Sequence, residues 1–284
     1  MLELSIRPVA PYDLAASARG LGDGTRRFRD GVLELHLREG HVRVRQRGDG
    51  TLVVAAETDE AFDRAQFVLG ADLDHRPFLE LAAREGLLRD SIGRRRGVRV
   101  LRTATVAHAL LKAMCGQLIQ ASAAIAIERD VLRMLAGRGQ VTPPSRDDLA
   151  GLSSPRLARA GLAPRRADAL VRVARTLDLE RLHAHPTEAV VARICREPQL
   201  GPWSAGMVAL YGLGRTEAGL VGDLGLVQLA RSLWGRRVET YETAALLEPY
   251  GEWAGLASMH LLALSGPTKV RRPVGAPGGF RAAG

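Results

Sequence analysis

Asp223 is the acidic residue whose setting best suits chemistry. It follows Gly222 and precedes the apolar run that begins at Leu224, so it stands at the predicted start of a helix. Aspartate is among the best helix N-caps, and capping alone would account for it. The two roles are compatible, because the helix dipole and nearby N–H groups favour the ionised carboxylate. Such a carboxylate can stabilise positive charge developing on a sugar ring, or activate a water molecule.

A tight turn that starts a helix lies upstream of Asp223. Pro198 and Gly201 are turn residues, Pro202 suits a first helical position, and apolar periodicity resumes directly afterwards. A helix that begins this way presents unpaired backbone N–H groups and the positive end of its dipole, which together bind phosphate. A phosphate-binding turn followed by a lone carboxylate indicates chemistry on a nucleic acid.

The three tryptophans are informative because aromatic residues make up only 4% of the chain. Trp203 falls in the first turn after the predicted hairpin, and Trp253 falls at the start of the last predicted helix. Trp234 ends a predicted amphipathic helix, and we interpret it as a core residue. For Trp203 and Trp253, core packing is one interpretation. The other is an electron-rich wall that stacks on a flat base.

The segment Gly116-Gln117-Leu118 interrupts a long apolar helical pattern. A kink between two core helices is the simpler explanation. The alternative is a loop that inserts a side chain into a stack of DNA bases.

The chain is strongly basic. Its 284 residues carry a formal net charge of +9, which favours a nucleic acid partner over a membrane surface or a small anionic substrate. Only Lys112 and Lys269 of the 40 lysines and arginines are lysines, so lysine chemistry has two candidates.

Cysteine and histidine give no metal motif. The two cysteines, Cys115 and Cys195, are too few for an iron–sulfur cluster and form no disulfide framework. The closest histidine pair, His183 and His185, has no acidic or cysteine partner beside it. We find no signal peptide and no run of about 18 apolar residues, so we expect a cytoplasmic protein without a membrane partner.

The predicted elements fall into two groups. Alternating apolar residues in 32–38 and 41–45, followed by the short apolar run 51–56, are separated by glycine turns and predict three antiparallel strands, with Leu33, Leu35 and Leu37 on one face. Helical periodicity accounts for most of the remainder. Helices are predicted at 11–20, 60–69, 106–115, 119–135, 145–152, 154–160, 165–177, 186–195, 205–213, 224–234, 244–247 and 253–264.

These patterns predict an α+β fold. A small antiparallel-sheet domain spans 1–97, an all-α domain spans 98–265, and a disordered basic tail spans 266–284.

The motifs resemble, over most of the chain, the helix-hairpin-helix DNA glycosylases, specifically the AlkA-type 3-methyladenine glycosylase II branch. Residues 197–205, Glu-Pro-Gln-Leu-Gly-Pro-Trp-Ser-Ala, resemble the branch's hairpin Leu-Pro-Gly-Ile-Gly-Pro-Trp-Thr-Ala. Asp223 lies twenty residues after Trp203, which is the spacing of the branch's catalytic aspartate. Residues 113–119 are similar to the segment Ala-Ile-x-Gly-Gln-x-Val, and Trp253 matches the tryptophan of Pro-Trp-Arg-Ser-Tyr-Ala.

The resemblance implies a two-lobed all-α domain around a cleft and a monofunctional glycosylase of base excision repair. Such an enzyme flips an alkylated base, of the 3-methyladenine type, out of double-stranded DNA and hydrolyses its N-glycosidic bond. Asp223 would be the catalytic residue, and Leu118 would fill the gap left by the flipped base. The base pocket would comprise Trp203, Met207 and Trp253. The DNA-binding residues would be Gln117, Leu118, Gln199, Leu200, Gly201 and Ser204.

Three positions depart from the branch's pattern. Gln199 replaces the first hairpin glycine, Met207 replaces an aromatic residue, and Ala254 replaces the arginine that follows the tryptophan. Trp203 occupies the position where bifunctional relatives carry a Schiff-base lysine, so we expect no β-lyase activity.

The resemblance implies no metal ion and no cofactor, apart from a monovalent cation that hairpin carbonyls hold in the family. We expect a monomer bound to the DNA of the nucleoid. Two other functions stay open, namely a glycosylase for oxidised or deaminated bases and a non-catalytic helix-hairpin-helix DNA-binding protein. The spacing of Asp223 favours an enzyme over the binding protein.

Overall fold

The structure is a computed structural model that describes residues 2–19, 21–84 and 86–264. The predicted tail at 266–284, with Lys269, lies outside these residues. Among the helices of the described part, none combines the length and apolar character needed to cross a membrane.

Five strands form one antiparallel sheet near the N-terminus. They are β1 (Leu2–Ile6), β2 (Arg26–Arg29), β3 (Val32–His36), β4 (His41–Gln46) and β5 (Leu52–Ala56), in the spatial order β1-β5-β4-β3-β2. The predicted alternation is confirmed, because Leu33 and Leu35 of β3 and Val42 and Val44 of β4 are fully buried. The sequence pattern did not predict β1 and β2, which are the two edge strands.

Helices make up most of the remaining chain. The α-helices of the described residues are α1 (Leu14–Ser17), α2 (Asp59–Leu69), α3 (Arg76–Arg84), α4 (Arg89–Ile92), α5 (Val106–Gly116), α6 (Ala121–Ala136), α7 (Arg146–Ala150), α8 (Ser154–Arg159), α9 (Pro164–Thr176), α10 (Thr187–Cys195), α11 (Pro202–Met207), α12 (Leu224–Trp234), α13 (Ala244–Leu247) and α14 (Ala254–Leu262). Short 3-10 turns lie at Gly93–Arg95, Glu180–Ala184, Thr240–Thr243 and Glu248–Trp253. The helix predicted at 205–213 is instead α11 followed by a π-helical turn, Val208–Gly212.

Three large hydrophobic cores organise these elements, and a fourth, smaller cluster comprises Ala113, Met207, Leu210 and Leu220. The sheet packs against α2 in the first core. The second core contains residues from every helix from α5 through α11. The third core packs α3 and α4 against α12, α13 and α14. The helical body therefore has two lobes, and the predicted α+β fold class is confirmed.

Residues of α3 and α4, before the predicted domain boundary, pack in the third core. Phe78 of α3 and Ile92 of α4 are buried in the core that contains α12 and α14. The domain boundary predicted near residue 97 thus falls after two helices that pack with the C-terminal lobe.

Candidate active site

A cavity of about 970 Å³ lies between the two helical lobes. The α5–α6 loop, α6 and α11 line one side, and residues 220–228 line the other. Most of the predicted site residues meet here: Gln117, Leu118, Gln199, Gly201, Trp203, Ser204, Met207 and Asp223. The cavity has the size usual for small-molecule sites and suffices for a nucleobase.

Two hydrogen bonds fix the Asp223 carboxylate in the wall of this cavity, and a third holds the residue before it. The backbone N–H of Gly222 donates to Thr243 Oγ1 at 2.8 Å and so holds the preceding residue. Asp223 Oδ1 accepts from the Gly225 N–H at 2.8 Å, which makes Asp223 the N-cap of α12. Its other oxygen, Oδ2, accepts from Trp203 Nε1–H at 2.9 Å. Asp223 therefore caps α12 with one carboxylate oxygen while Trp203 orients the other in the cavity.

Trp203 sits between Asp223 and the end of α5. A Cβ atom added to Gly116 would lie 2.9 Å from the indole Cη2 of Trp203, too close for any side chain. Glycine at position 116 thus lets the indole approach the helix backbone. Trp203 remains half-buried, so part of its surface faces the cavity.

The turn between α10 and α11 is held by one side chain from the α5–α6 loop and one from α9. Gln199 has φ +73°, the left-handed region that glycine favours, so the turn forms although a glutamine stands there. Gln117 Nε2 donates to the Gln199 carbonyl at 2.7 Å and to Ser204 Oγ at 3.0 Å. Arg172 of α9 donates to the Pro198 carbonyl at 3.1 Å.

Gly201 leaves the start of α11 open. It is the N-cap residue and provides no side-chain hydrogen bond to the helix. A Cβ atom added there would meet no protein atom within 4 Å, so protein packing does not demand this glycine. Leu200 beside it is buried in the second core and is absent from the cavity lining, so its side chain does not face the cavity as the DNA-binding prediction expected. Gly201 lines the cavity, and without a side chain its backbone is open to a close-approaching ligand.

Leu118 projects from the loop between α5 and α6. Its side chain is 73% exposed and its φ is +54°. It stands at the edge of the cavity beside Gln117. An exposed leucine on a tight loop next to a cavity has the placement that a DNA wedge requires.

Trp253 does not join the other predicted pocket residues. It is absent from the cavity lining, and its ring packs in the third core at 6.3 Å from that of Phe78. This placement follows from the short 3-10 turn Glu248–Trp253, which packs on α3. Met207, in contrast, lines the cavity and contributes an apolar surface with Leu220.

The cavity lining also contains polar residues that the sequence did not predict as site residues, namely Lys112, Gln120, Glu128, Arg166, Tyr211, Gln228 and Thr240. Lys112 Nζ lies 3.3 Å from Glu128 Oε2. Burial raises the pKa of Tyr211 to about 12, and its hydroxyl donates to Met259 Sδ at 2.9 Å. Lys112 precedes Gly116 by one helical turn, and this spacing is the signal that could have revealed it.

Asp23, His108 and Glu128 form a buried cluster whose ligand atoms lie within 4.8 Å of one another. Its negative charges already have partners, because Arg26 Nε donates to Asp23 at 2.9 Å and Lys112 pairs with Glu128. Burial opposes the charge of Asp23, but Arg26, together with His108 and Lys112, outweighs it and holds the Asp23 pKa far below its usual range. These residues fit an ion-pair network better than a metal site.

No protein-family model matches the chain, and no curated protein matches it. Solved structures do match. The 3-methyladenine DNA-glycosylase of Archaeoglobus fulgidus has a TM-score of 0.78 at 18% identity, over 92% of this chain and 97% of that one.

Two further matches are DNA complexes. The 8-oxoguanine glycosylase/lyase of Clostridium acetobutylicum, bound to double-stranded DNA containing cytosine opposite 8-oxoguanine, has a TM-score of 0.73 at 17% identity, covering 92% of this chain and 96% of that one. The 3-methyladenine DNA glycosylase Mag1 of Schizosaccharomyces pombe, bound to abasic DNA, has a TM-score of 0.56 at 17% identity, covering 66% and 95%. The chain therefore has the fold of these DNA glycosylases. The matches include glycosylases named for 3-methyladenine and for 8-oxoguanine.

Proposed function

We propose that this protein is a monofunctional DNA glycosylase that removes a damaged base from double-stranded DNA by hydrolysing its N-glycosidic bond. The observation that carries the proposal is the Asp223 carboxylate. It is fixed by Trp203 Nε1–H and the Gly225 N–H in the wall of a cavity that suffices for a base. A DNA-binding protein without catalytic activity needs neither the cavity nor a carboxylate held inside it.

The mechanism begins with the grip on DNA. Backbone N–H groups after Gly201 bind a phosphate beside the lesion, assisted by the positive end of α11. The damaged nucleotide leaves the stack, and Leu118 fills the gap. The base enters the cavity against the indole of Trp203 and the apolar side chain of Met207.

Asp223 then acts on the sugar. As the N-glycosidic bond breaks, its electron pair goes to the departing base, so a cationic base leaves neutral and an uncharged base leaves as an anion that takes up a proton. Positive charge develops on the sugar, and the carboxylate stabilises it. Asp223 also orients a water molecule toward the anomeric carbon and accepts its proton. The two N–H donors fix the carboxylate before the substrate arrives, so little reorganisation is needed during the reaction.

Two lesion classes fit this mechanism. The resemblance to 3-methyladenine glycosylases favours alkylated, cationic bases, which stack well on the indole of Trp203. Lys112 in the same cavity favours uncharged oxidised or deaminated bases.

We also propose an oligomeric state, a location and a cofactor requirement for this enzyme. The enzyme acts as a monomer on cytoplasmic DNA. It needs no metal or organic cofactor, because Asp223 and water supply the chemistry. The hairpin cation stays a prediction. The Gln199 carbonyl already accepts from Gln117, so at least one hairpin oxygen has a protein donor.

The decisive experiment compares wild-type protein with Asp223→Asn on duplex oligonucleotides that each carry one damaged base. Alkali reveals abasic sites, and sodium borohydride added to parallel reactions traps any Schiff base. We expect excision of at least one lesion and no trapped complex. Asp223→Asn should lower the rate by about 100-fold or more, with DNA affinity unchanged, since single acid–base groups contribute about that much.

Three outcomes would contradict this proposal. Excision by Asp223→Asn at the wild-type rate would remove the aspartate from the mechanism. A borohydride-trapped complex that disappears in Lys112→Arg would show a lyase that uses the lysine of the cavity. DNA binding without excision of any lesion would instead favour the non-catalytic alternative.

A further inference from the structure

One face of α5 leads from the buried interior to the cavity. His108, Lys112 and Gly116 are four residues apart, so they lie on the same side of this helix. Gly116 meets the indole of Trp203 at the C-terminal end of this face, and Lys112 lines the cavity one turn before it. A lysine therefore reaches the cavity from the same helix face that seats the tryptophan.

Glu128 of α6 holds the Lys112 ammonium group in place. Its Oε2 lies 3.3 Å from Lys112 Nζ, and its Oε1 accepts from His108 Nε2 at 2.9 Å. Burial alone would raise the pKa of Glu128, but Lys112 and the His108 hydrogen bond outweigh it and lower that pKa. The Glu128 side chain is 1% exposed and that of Lys112 is 22% exposed, so the cavity meets mainly the cation of the pair.

An ammonium group carries three N–H donors. Within the part of the chain that the structure describes, Glu128 is the one hydrogen-bond acceptor of Lys112 Nζ. Water can satisfy the other donors while the cavity is open. A base that fills the cavity displaces this water, so it must offer acceptors of its own. A buried donor left without an acceptor lowers affinity roughly tenfold or more.

We propose that Lys112 selects the base, favouring an uncharged damaged base with carbonyl oxygens over a positively charged alkylated base. This inference rests on the proposed glycosylase function and names its substrate class. Carbonyl oxygens, such as those of 8-oxoguanine and hypoxanthine, accept hydrogen bonds from an ammonium group. A purine nucleotide alkylated at ring N3 or N7 is cationic, and two positive charges repel each other strongly in a partly desolvated site.

The positions of Tyr211 and Trp203 in the cavity are consistent with a preference for an uncharged base. The ring of Tyr211 lies 6.0 Å from Lys112 Nζ, so its electron-rich face already has a cation near it. The N–H of Trp203 is taken by Asp223, and its indole face remains available to stack on an uncharged base as well as on a cationic one.

Affinity for two matched duplexes tests the charge selection. One duplex carries 8-oxoguanine and the other 7-methylguanine at the same position, each on a 2′-fluoroarabinose that resists cleavage. Fluorescence anisotropy gives the Kd of each. We expect wild-type protein to bind the 8-oxoguanine duplex about tenfold or more tightly than the 7-methylguanine duplex, as a charged hydrogen bond allows.

Three variants assign the preference to Lys112. Lys112→Met keeps the length without the charge and should abolish the preference, whereas Lys112→Arg keeps the cation and should retain it. Because Lys112→Met leaves Glu128 buried without its cation, the double variant Lys112→Met/Glu128→Gln repeats the test with both charges removed. Circular dichroism checks that each variant folds, and the double variant decides the matter if Lys112→Met does not.

Equal wild-type affinity for the two duplexes would overturn the inference, and so would a preference that survives in a folded variant without the lysine. Because affinity is measured without cleavage, the outcome is separate from that of the proposed function. Lys112-dependent affinity without excision of any lesion would contradict the glycosylase and support the selection. Asp223-dependent excision without charge discrimination would support the glycosylase and contradict the selection by Lys112.

Discussion

At the scale of single residues, the contact between Trp203 and Asp223 changes the role of the tryptophan. From the sequence, Trp203 was predicted to be a wall of the base pocket. The structure adds that its Nε1–H donates to Asp223 Oδ2 at 2.9 Å. Because the second oxygen of Asp223 is held by the N-cap bond to Gly225, the indole sets the remaining orientation of the carboxylate. In the proposed mechanism, Trp203 thus positions the carboxylate of Asp223 as well as providing a stacking surface.

Replacing Trp203 with phenylalanine separates these two roles. Trp203→Phe keeps an aromatic face but removes the N–H donor, so the carboxylate loses a charge-assisted hydrogen bond worth about 1.5–3 kcal/mol. We expect excision to slow about tenfold or more while the Kd for DNA stays near that of wild type. Trp234→Phe, which changes a tryptophan outside the cavity lining, is the matched control. Wild-type excision rates in Trp203→Phe would show that the N–H is dispensable.

At the scale of elements, the sequence predicted those whose pattern is local. Strands β3 and β4 alternate visibly, β5 is a short apolar run after a glycine turn, and α12 begins where Asp223 marks its cap. The edge strand β2, Arg-Arg-Phe-Arg, has no apolar alternation. Its Arg26 is buried only because Asp23 and two distant backbone carbonyls, those of Leu101 and Arg102, accept from it. No local pattern predicts such long-range partners.

The site follows the same division. Asp223 and the hairpin could be predicted because their spacing is short and fixed along the chain. The cavity's Lys112 and Glu128 could not, since they meet only when α5 packs on α6. Trp253 had the right residue type but lies in the core beside Phe78, because α3 comes from a region assigned to the other domain.

The loop between α5 and α6 gives a prediction that tests its role as a wedge. Leu118 is 73% exposed, so Leu118→Ala should change the free energy of unfolding by less than about 0.5 kcal/mol, as surface substitutions do. Excision from duplex DNA should nevertheless fall about tenfold, because the gap left by the flipped nucleotide is no longer filled. Val9→Ala, at a residue that is 49% exposed and outside the cavity lining, is the control. Unchanged excision by Leu118→Ala would rule out the wedge.

At the scale of the whole molecule, buried histidines stand where the N-terminal part meets the C-terminal lobe. His75 directly precedes α3, and His260 lies on α14 against the ring of Phe78 at 5.2 Å. Neither ring nitrogen of His260 has a hydrogen-bond partner among the described residues. Burial, with Arg95 nearby, lowers the pKa of His260 to about 3, and burial lowers that of His75 to about 4. Both histidines are therefore neutral in the folded protein at mildly acidic pH.

This arrangement makes the fold sensitive to mild acid. In the unfolded chain both histidines titrate near pH 6.5, so below that pH the unfolded state binds more protons and stability falls. Each contributes a slope of about 1.4 kcal/mol per pH unit until the pH approaches its folded pKa. Urea unfolding should give a clearly lower free energy of unfolding at about pH 5 than at about pH 7, where this contribution is complete. His260→Leu fills the same apolar site without a titrating ring, so its loss over this range should be smaller by about 2 kcal/mol. Equal losses in the variant and the wild type would mean that His260 takes up its proton in the folded protein as readily as in the unfolded chain.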